Sequence, residues 1–357
     1  MICHEHQQRR NPLMAGAGVL DTLLLPLRSG ELVLPQHGAA LFLRARAGAA
    51  LDAVAGVQWQ CQQSFKPFAD ALRAAGRTLD SDDAARYPLV LVLPPRQRAE
   101  ARATLAHAFM RLNPGGTVLA AMANDAGARS MQADIERLAG SSHSLCKNKC
   151  RAVWAVSDPD RFDSALCAQW LQADAPRLIA DGRFNSRPGL FAWDRIDPGS
   201  ALLATQLPAD LGGRCADLGA GYGYLSAELL ARCPGIQTLD LFEAEARALE
   251  LARINLARCT HPAERRFHWH DVTAGLPGRY DVIVSNPPFH VDAASEPALG
   301  RAFIASAAQA LSPGGQLWLV ANRHLPYEAQ LARHFRTIRP VAQAHGYKVL
   351  HASERYL

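Results

Sequence analysis

The stretch SNPPF, holding Asn286, Pro287, Pro288 and Phe289, concentrates more chemistry than any other part of the chain. Asn286 offers a side-chain carbonyl oxygen, and Pro287 has no N–H, so its backbone can only accept hydrogen bonds. Two acceptors converging on an exocyclic amino group bind both of its hydrogens. The nitrogen lone pair then turns out of conjugation with its ring and toward an electrophile. An aromatic amine is a poor nucleophile, so geometry and electrostatics must carry the rate of such a reaction. Phe289 can stack on the base bearing the amine, a contact worth roughly 1–3 kcal/mol at single-stranded sites. Pro288 and His290 flank it as further substrate contacts. By itself, the stretch also reads as a Pro-Pro strand exit capped by an asparagine.

A second cluster supplies what the first would need. Asp217, Gly219, Gly221 and Gly223 form D-x-G-x-G-x-G. Glycines there let the backbone turn tightly and approach a ligand, and the following helix aims its first amides at the same place. Glu243 ends the next strand, where an acid can bond ribose hydroxyls. NAD enzymes use the same crevice with G-x-G-x-x-G, but here the third glycine comes one residue early. Asp217 just ahead of the turn suits a cationic amino group better than a pyrophosphate. Both features favour S-adenosylmethionine, with an NAD-dependent oxidoreductase as the weaker reading. Asp271, in HWHD, is placed to accept from an adenine amino group, and simple surface exposure explains it nearly as well.

These residues sit where strands end and helices begin. GRCADLGAG, TLDLFEAE, RFHWHDV, YDVIVSN and GQLWLVAN read as short buried strands. YLSAELLARC, ARALELARINLARC and ALGRAFIASAAQAL between them read as amphipathic helices. That alternation predicts an α/β fold with a mostly parallel sheet covered on both faces. TIRPVAQAH and YKVLHASER, linked around Gly346, predict an antiparallel hairpin at the sheet edge.

The first half repeats the later part of this plan. YPLVLVLPP (87–95) aligns with YDVIVSNPP (280–288), and NPGGTVLAAMAN (113–124) with SPGGQLWLVAN (312–322). Leu93 stands where Asn286 stands, and nothing in residues 1–86 matches the glycine loop. The first copy is therefore expected to keep the scaffold and lack the chemistry. With 357 residues, the chain is long enough for two such domains, joined around DGRFNSRPGLFAWDRIDPGS.

Bulk properties set the outer limits. No apolar run reaches bilayer length and the N-terminus lacks a signal peptide's apolar core, so a cytoplasmic protein is expected. The eight cysteines form no disulfide framework. Only Cys146 and Cys150 approach metal spacing, and without a second pair no metal is expected. A net charge of +5 permits a nucleic-acid partner without requiring one. Arg44, Arg46, Lys147, Lys149 and Arg151 are candidate phosphate contacts, with a solvated surface an equal explanation.

Residues 186–357 resemble a class I S-adenosylmethionine-dependent methyltransferase of the N-P-P-F/Y group. LFAWDRIDPGSALL, the glycine loop, GRYDVIVSNPPFH and SPGGQLWLVAN in series are similar, more narrowly, to the bacterial ribosomal RNA guanine-N2 methyltransferases. The likeness is strongest to the small-subunit methyltransferase C type. It implies two tandem Rossmann-like domains, each on a seven-stranded mostly parallel sheet. Residues 1–185 would be a degenerate copy for substrate recognition or support, and 186–357 the catalytic domain. It implies methyl transfer to N2 of a guanine in 16S RNA within the assembled small subunit. Ser200 would lie near the methionine end of the cofactor. A monomer is expected, because two fused copies can cover the faces a dimer would use. The same chemistry on a large-subunit guanine, a DNA adenine or a protein glutamine remains open from the residues. So does a non-catalytic RNA-binding module.

Overall fold

A computed structural model describes residues 17–34, 39–79, 82, 84–288, 290, 291, 294, 295 and 297–356. It divides into two units. One runs up to Gln63 and from Phe68 to Ala175, and the other comprises Ser64–Pro67 with Pro176 onward.

The first unit is built on β1 (Ala39–Leu43), β2 (Gln58–Gln62), β3 (Thr78–Leu79), β4 (Tyr87–Val92), β5 (Leu112–Ala123), β6 (His143–Lys147) and β7 (Cys150–Val156). They lie in the order β3-β2-β1-β4-β5-β7-β6. All neighbours are parallel except those of β7, which runs antiparallel to both β5 and β6. β8 (Arg177–Ile179) and β9 (Phe184–Ser186) form a small hairpin in the second unit.

That second unit carries β10 (Gly212–Leu218), β11 (Gly235–Glu243), β12 (Glu264–Trp269) and β13 (Tyr280–Ser285). After the short pair β14 (His290–Val291) and β15 (Ala294–Ser295) come β16 (Leu311–Asn322), β17 (Phe335–Ala344) and β18 (Tyr347–Arg355). Their order, β12-β11-β10-β13-β16-β18-β17, reproduces the first sheet strand for strand. The duplication therefore covers the whole domain, including the five strands outside the two matched stretches. The expected C-terminal hairpin forms, with β18 between β16 and the edge strand β17.

Strand interiors explain the architecture. Cys215, Ala216 and Leu218 of β10 and Val282, Ile283 and Val284 of β13 are buried, as a parallel sheet packed on both faces requires. One face packs under helices 198–206, 224–232 and 246–256 through Leu203, Leu229 and Leu249. The other packs under helix 297–310 through Phe303, Ile304 and Ala307. The chain steps outward from β10 to β12 and then returns to place β13 on the other side of β10. The crevice at the carboxyl ends of β10 and β13 is thus the point where strand order reverses, the usual ligand position in such sheets.

Both sheets contain the same irregularity. The pairing of β13 with β16 slips between Tyr280 and Val282, so Ser312–Gly315 bulge out, and β4 with β5 slips identically between Tyr87 and Leu89. A Cβ on Gly315 would stand 3.0 Å from the carbonyl oxygens of Ser312 and Tyr280. On Gly116 it would meet Asn113 and Pro88 in the same way. This steric need is what the P-G-G repeat records.

Candidate active site

The crevice is assembled from three strand ends and the segment ahead of β10. Asp217 lies at the end of β10, wholly buried. Its Oδ2 accepts a hydrogen bond from Ser226 Oγ at 2.7 Å, while its Oδ1 has no partner among the described residues. Burial pushes this carboxyl up to about 7, against the Ser226 bond and with a smaller contribution from the Glu243 charge. A buried acid with one unpartnered oxygen suits a cationic ligand, whose charge would offset the cost of ionising it.

Past Asp217 the chain turns through Gly219 (φ 75°), Gly221 (φ 55°) and Gly223 (φ 89°), all left-handed. Two of the three have a visible further reason to lack a side chain. A Cβ on Gly223 would come within 2.6 Å of Leu256, which would push helix 246–256 off the loop. A Cβ on Gly221 meets nothing and would protrude into the open cleft. The Gly221 N–H donates to Glu243 Oε2 at 2.8 Å, and the Glu245 N–H donates to Oε1 at 2.7 Å. Burial raises the Glu243 carboxyl from its ordinary range, with these amide bonds opposing the rise. The acid ending β11 is therefore tied to the glycine loop.

Across the crevice, Ser285 Oγ donates to the Leu218 carbonyl at 2.8 Å and locks the ends of β10 and β13 together. Asn286 follows directly. Its Nδ2 donates to Asp197 Oδ2 at 2.9 Å and to Ser200 Oγ at 2.8 Å. Its Oδ1 is buried without a hydrogen-bond partner among the described residues. Pro287 is buried and Pro288 half-buried. Phe289 lies outside the described residues, as does the side chain of His290.

The cleft bounded by Asn286, Ser200, Gly219 and Gly221 is closed on its remaining sides by Phe191, Tyr222, Tyr224 and Leu225. Phe191 is 64% exposed, an aromatic ring offered to solvent at the rim. Ser200, expected near the cofactor, thus contacts Asn286 as well as lining the cleft.

Other expected residues fall elsewhere. Asp271 follows β12 and caps a short 3-10 turn, accepting from the Thr273 N–H at 2.9 Å and hydroxyl at 2.6 Å. In the first unit, Arg44 makes a 2.8 Å ion pair with the buried Glu100, and Arg46 stacks on Phe68 at 3.4 Å from the ring centre. Arg151 bonds Gln132. Lys147 and Lys149 remain exposed around the β6–β7 turn. Cys146 is exposed, whereas the buried Cys150 directs its thiol to the Asn148 carbonyl.

Two residues at the site escaped the sequence reading. Asp197 is buried and caps helix 198–206, its Oδ2 accepting the Ser200 N–H at 2.7 Å. Tyr347, at the start of β18, packs its ring over Gly199 so closely that a Cβ there would be 2.7 Å away. Only the first left a local trace: an acid immediately before a proline is a helix-start signal.

Comparison with known proteins agrees with this geometry. The Methyltransferase small domain family matches residues 181–351. The ribosomal RNA small subunit methyltransferase C of Shewanella amazonensis is 31% identical over 275 residues, 74% of this chain and 76% of that one. A ribosomal RNA large subunit methyltransferase G of Alcanivorax borkumensis is 36% identical, over 49% of this chain and 48% of its own length. Among solved structures, the 16S rRNA N2 methyltransferase of T. thermophilus, in complex with AdoMet and guanosine, superimposes with a TM-score of 0.77. It is 26% identical, and the match covers 98% of this chain and 93% of that one.

Proposed function

The chain belongs to the ribosomal RNA small subunit methyltransferase C family, and from that premise we propose how its residues divide the work. The reaction is methyl transfer from S-adenosylmethionine to the N2 amino group of a guanine in 16S ribosomal RNA. Bound S-adenosylmethionine supplies an electrophilic methyl group on a positively charged sulfur.

The second unit holds that cofactor and the amine. Asp217 Oδ1 meets the methionyl ammonium, and Glu243 the ribose hydroxyls. The bare backbone at Gly221 leaves the room between them. Asn286 Oδ1 and the Pro287 carbonyl accept the two hydrogens of the guanine N2, which fixes the nitrogen with its lone pair directed at the methyl group. Both acceptors act most strongly in the transition state, as the amine becomes positively charged. Neither is a base, so the surplus proton leaves the methylated nitrogen for water.

The observation that carries this reading is the Asn286 amide. Its donors are both engaged, and its acceptor is buried beside the cleft without a partner. The first unit lacks an equivalent, and its role is recognition or support of the substrate. Within it, Lys147 and Lys149 are better phosphate contacts than Arg44 and Arg46, whose guanidinium groups are engaged internally. The substrate form is the assembled small subunit, which places the enzyme in the cytoplasm. Among the described residues, no helix is long and apolar enough to cross a membrane.

The test uses labelled S-adenosylmethionine with small subunits, large subunits and naked ribosomal RNA from cells lacking this protein. Digestion and mass spectrometry should give N2-methylguanosine from small subunits alone. Label in naked RNA only would overturn the assembled-subunit substrate. Label on large subunits or on another base would overturn the choice of target.

A further inference from the structure

An asparagine amide can be turned end for end with almost no change of shape. The chemistry tolerates only one orientation. With Oδ1 toward the guanine amine the side chain accepts a hydrogen, and with Nδ2 there it sets donor against donor. Something must therefore fix the choice.

We propose that Asp197 is a positioning residue that holds Asn286 with its oxygen toward the substrate amine. This rests on the reading of Asn286 as an acceptor. The Asp197 carboxylate can only accept, and its Oδ2 lies 2.9 Å from Asn286 Nδ2. A flipped amide would put its oxygen against that carboxylate, whereas the Ser200 hydroxyl can turn to donate instead, so it is Asp197 that fixes the orientation. The present orientation uses both Nδ2 hydrogens, the second at 2.8 Å to Ser200 Oγ.

Asp197 is itself held from three sides. The Ser200 N–H donates to Oδ2 at 2.7 Å, and Tyr347 Oη donates to Oδ1 at 3.5 Å. Pro198 begins the helix it caps. Gly199 admits the Tyr347 ring against the same turn, and Asp197 is only 8% exposed. Asp-Pro-Gly-Ser thus supplies the clamp, its helix cap, the space for Tyr347 and the second acceptor in four consecutive residues.

The test is a set of full-length variants assayed in single turnovers on small subunits, with cofactor affinity measured separately by calorimetry. Asp197→Ala should lower the rate roughly 10²-fold, the scale of a misplaced catalytic group. Cofactor affinity should stay within about threefold of wild type, which separates this from a binding defect. Asp197→Asn keeps an oxygen able to accept from both Ser200 N–H and Asn286 Nδ2, so it should recover most of the loss. In the Asn286→Ala background, Asp197→Ala should cost nothing further, because the group it positions is gone. Ser200→Ala leaves the helix cap in place and should show a smaller loss with the same dependence on Asn286. It serves where Asp197→Ala fails to fold.

Two results overturn the clamp. One is an Asp197→Asn variant as slow as Asp197→Ala, which would assign the carboxylate a role through its charge. The other is an equal loss with and without Asn286. A near-normal rate for Asn286→Ala alone would instead sink the acceptor reading of Asn286, and the clamp with it.

Discussion

The two sheets share strand order and bulge, so they can be compared position by position. Leu43 pairs with Val92 and Gln62 in the first, and Leu218 with Ser285 and Phe242 in the second. On that register Phe42 stands where Asp217 stands, Arg44 where Gly219 stands, Gln63 for Glu243 and Leu93 for Asn286. Arg44 even keeps the left-handed turn, with φ 54° against 75° at Gly219. The turn survives while every group that would meet a ligand is replaced. Phe42 removes the buried charge, and Arg44 pairs with the buried Glu100. Gln63 donates to the Ala45 carbonyl at 2.8 Å, where Glu243 accepts from a glycine amide. A scaffold and a site are thus separable: strand order depends on apolar interiors, chemistry on four strand-end positions.

Transplanting one domain's residues into the other breaks that comparison at chosen points. Asn286→Leu copies the first domain and removes one transition-state acceptor, so the methylation rate should fall roughly 10³-fold. Cofactor affinity, read by calorimetry, should change little. Gly221→Val puts a branched side chain at φ 55° and into the open cleft, and should weaken cofactor binding by more than about 10²-fold. An unchanged affinity would remove the glycine loop from the binding site.

A subtler difference is the charge on Asp217, which Phe42 lacks. Its folded pKa, about 7, is above the ordinary carboxylate value of 3.8. Between those values the folded protein holds a proton that the unfolded chain has lost. The contribution of this group to the stability of the empty protein therefore declines as pH rises from about 4 to 7. A cationic ligand needs the ionised form, so its binding should release a proton below pH 7. Affinity should fall there by up to about tenfold per pH unit. Calorimetry in buffers of different ionisation enthalpy would register the proton, and Asp217→Asn should abolish the slope. The smallest effect belongs to the reverse graft. Leu93→Asn should confer neither cofactor binding nor activity on the first domain, and should cost about 1 kcal/mol of stability in thermal unfolding. Any gained affinity would mean that the remaining substitutions matter less than the register suggests.

How far the sequence could be read follows from the same contrast. The glycine loop, Glu243 and N-P-P-F are legible because each meets a local demand at a strand end, where residue type and spacing record it. β1, β2 and β3 are not legible as copies: β1 is a short apolar run, β2 reads QWQCQ, β3 is two residues long, and the residues at their ends have changed. Leu93 is readable as a lost acceptor because the Pro-Pro strand exit and the P-G-G bulge together align the two copies. Asp197 and Tyr347 were missed for another reason. Their contacts bridge residues 89 and 150 positions apart, and no local pattern announces a partner at that distance. Asp271, an acid just past a strand end, also serves as a local cap, and that second role follows from the Thr273 two residues on.

The packing of Tyr347 over Gly199 sets an order of events during synthesis. Tyr347 opens the last strand of the sheet, while Asp197 precedes the first strand of the same sheet. A nascent chain carries the glycine loop and Asn286 well before it carries the ring that backs Asp197. Until that strand is made, β16 also lacks its antiparallel neighbour on the far side of β13. The active site is therefore complete only once β18 has joined the sheet. An enzyme whose target is ribosomal RNA thus cannot back Asp197 with that ring until the strand that follows Gly346 has been made and has joined the sheet.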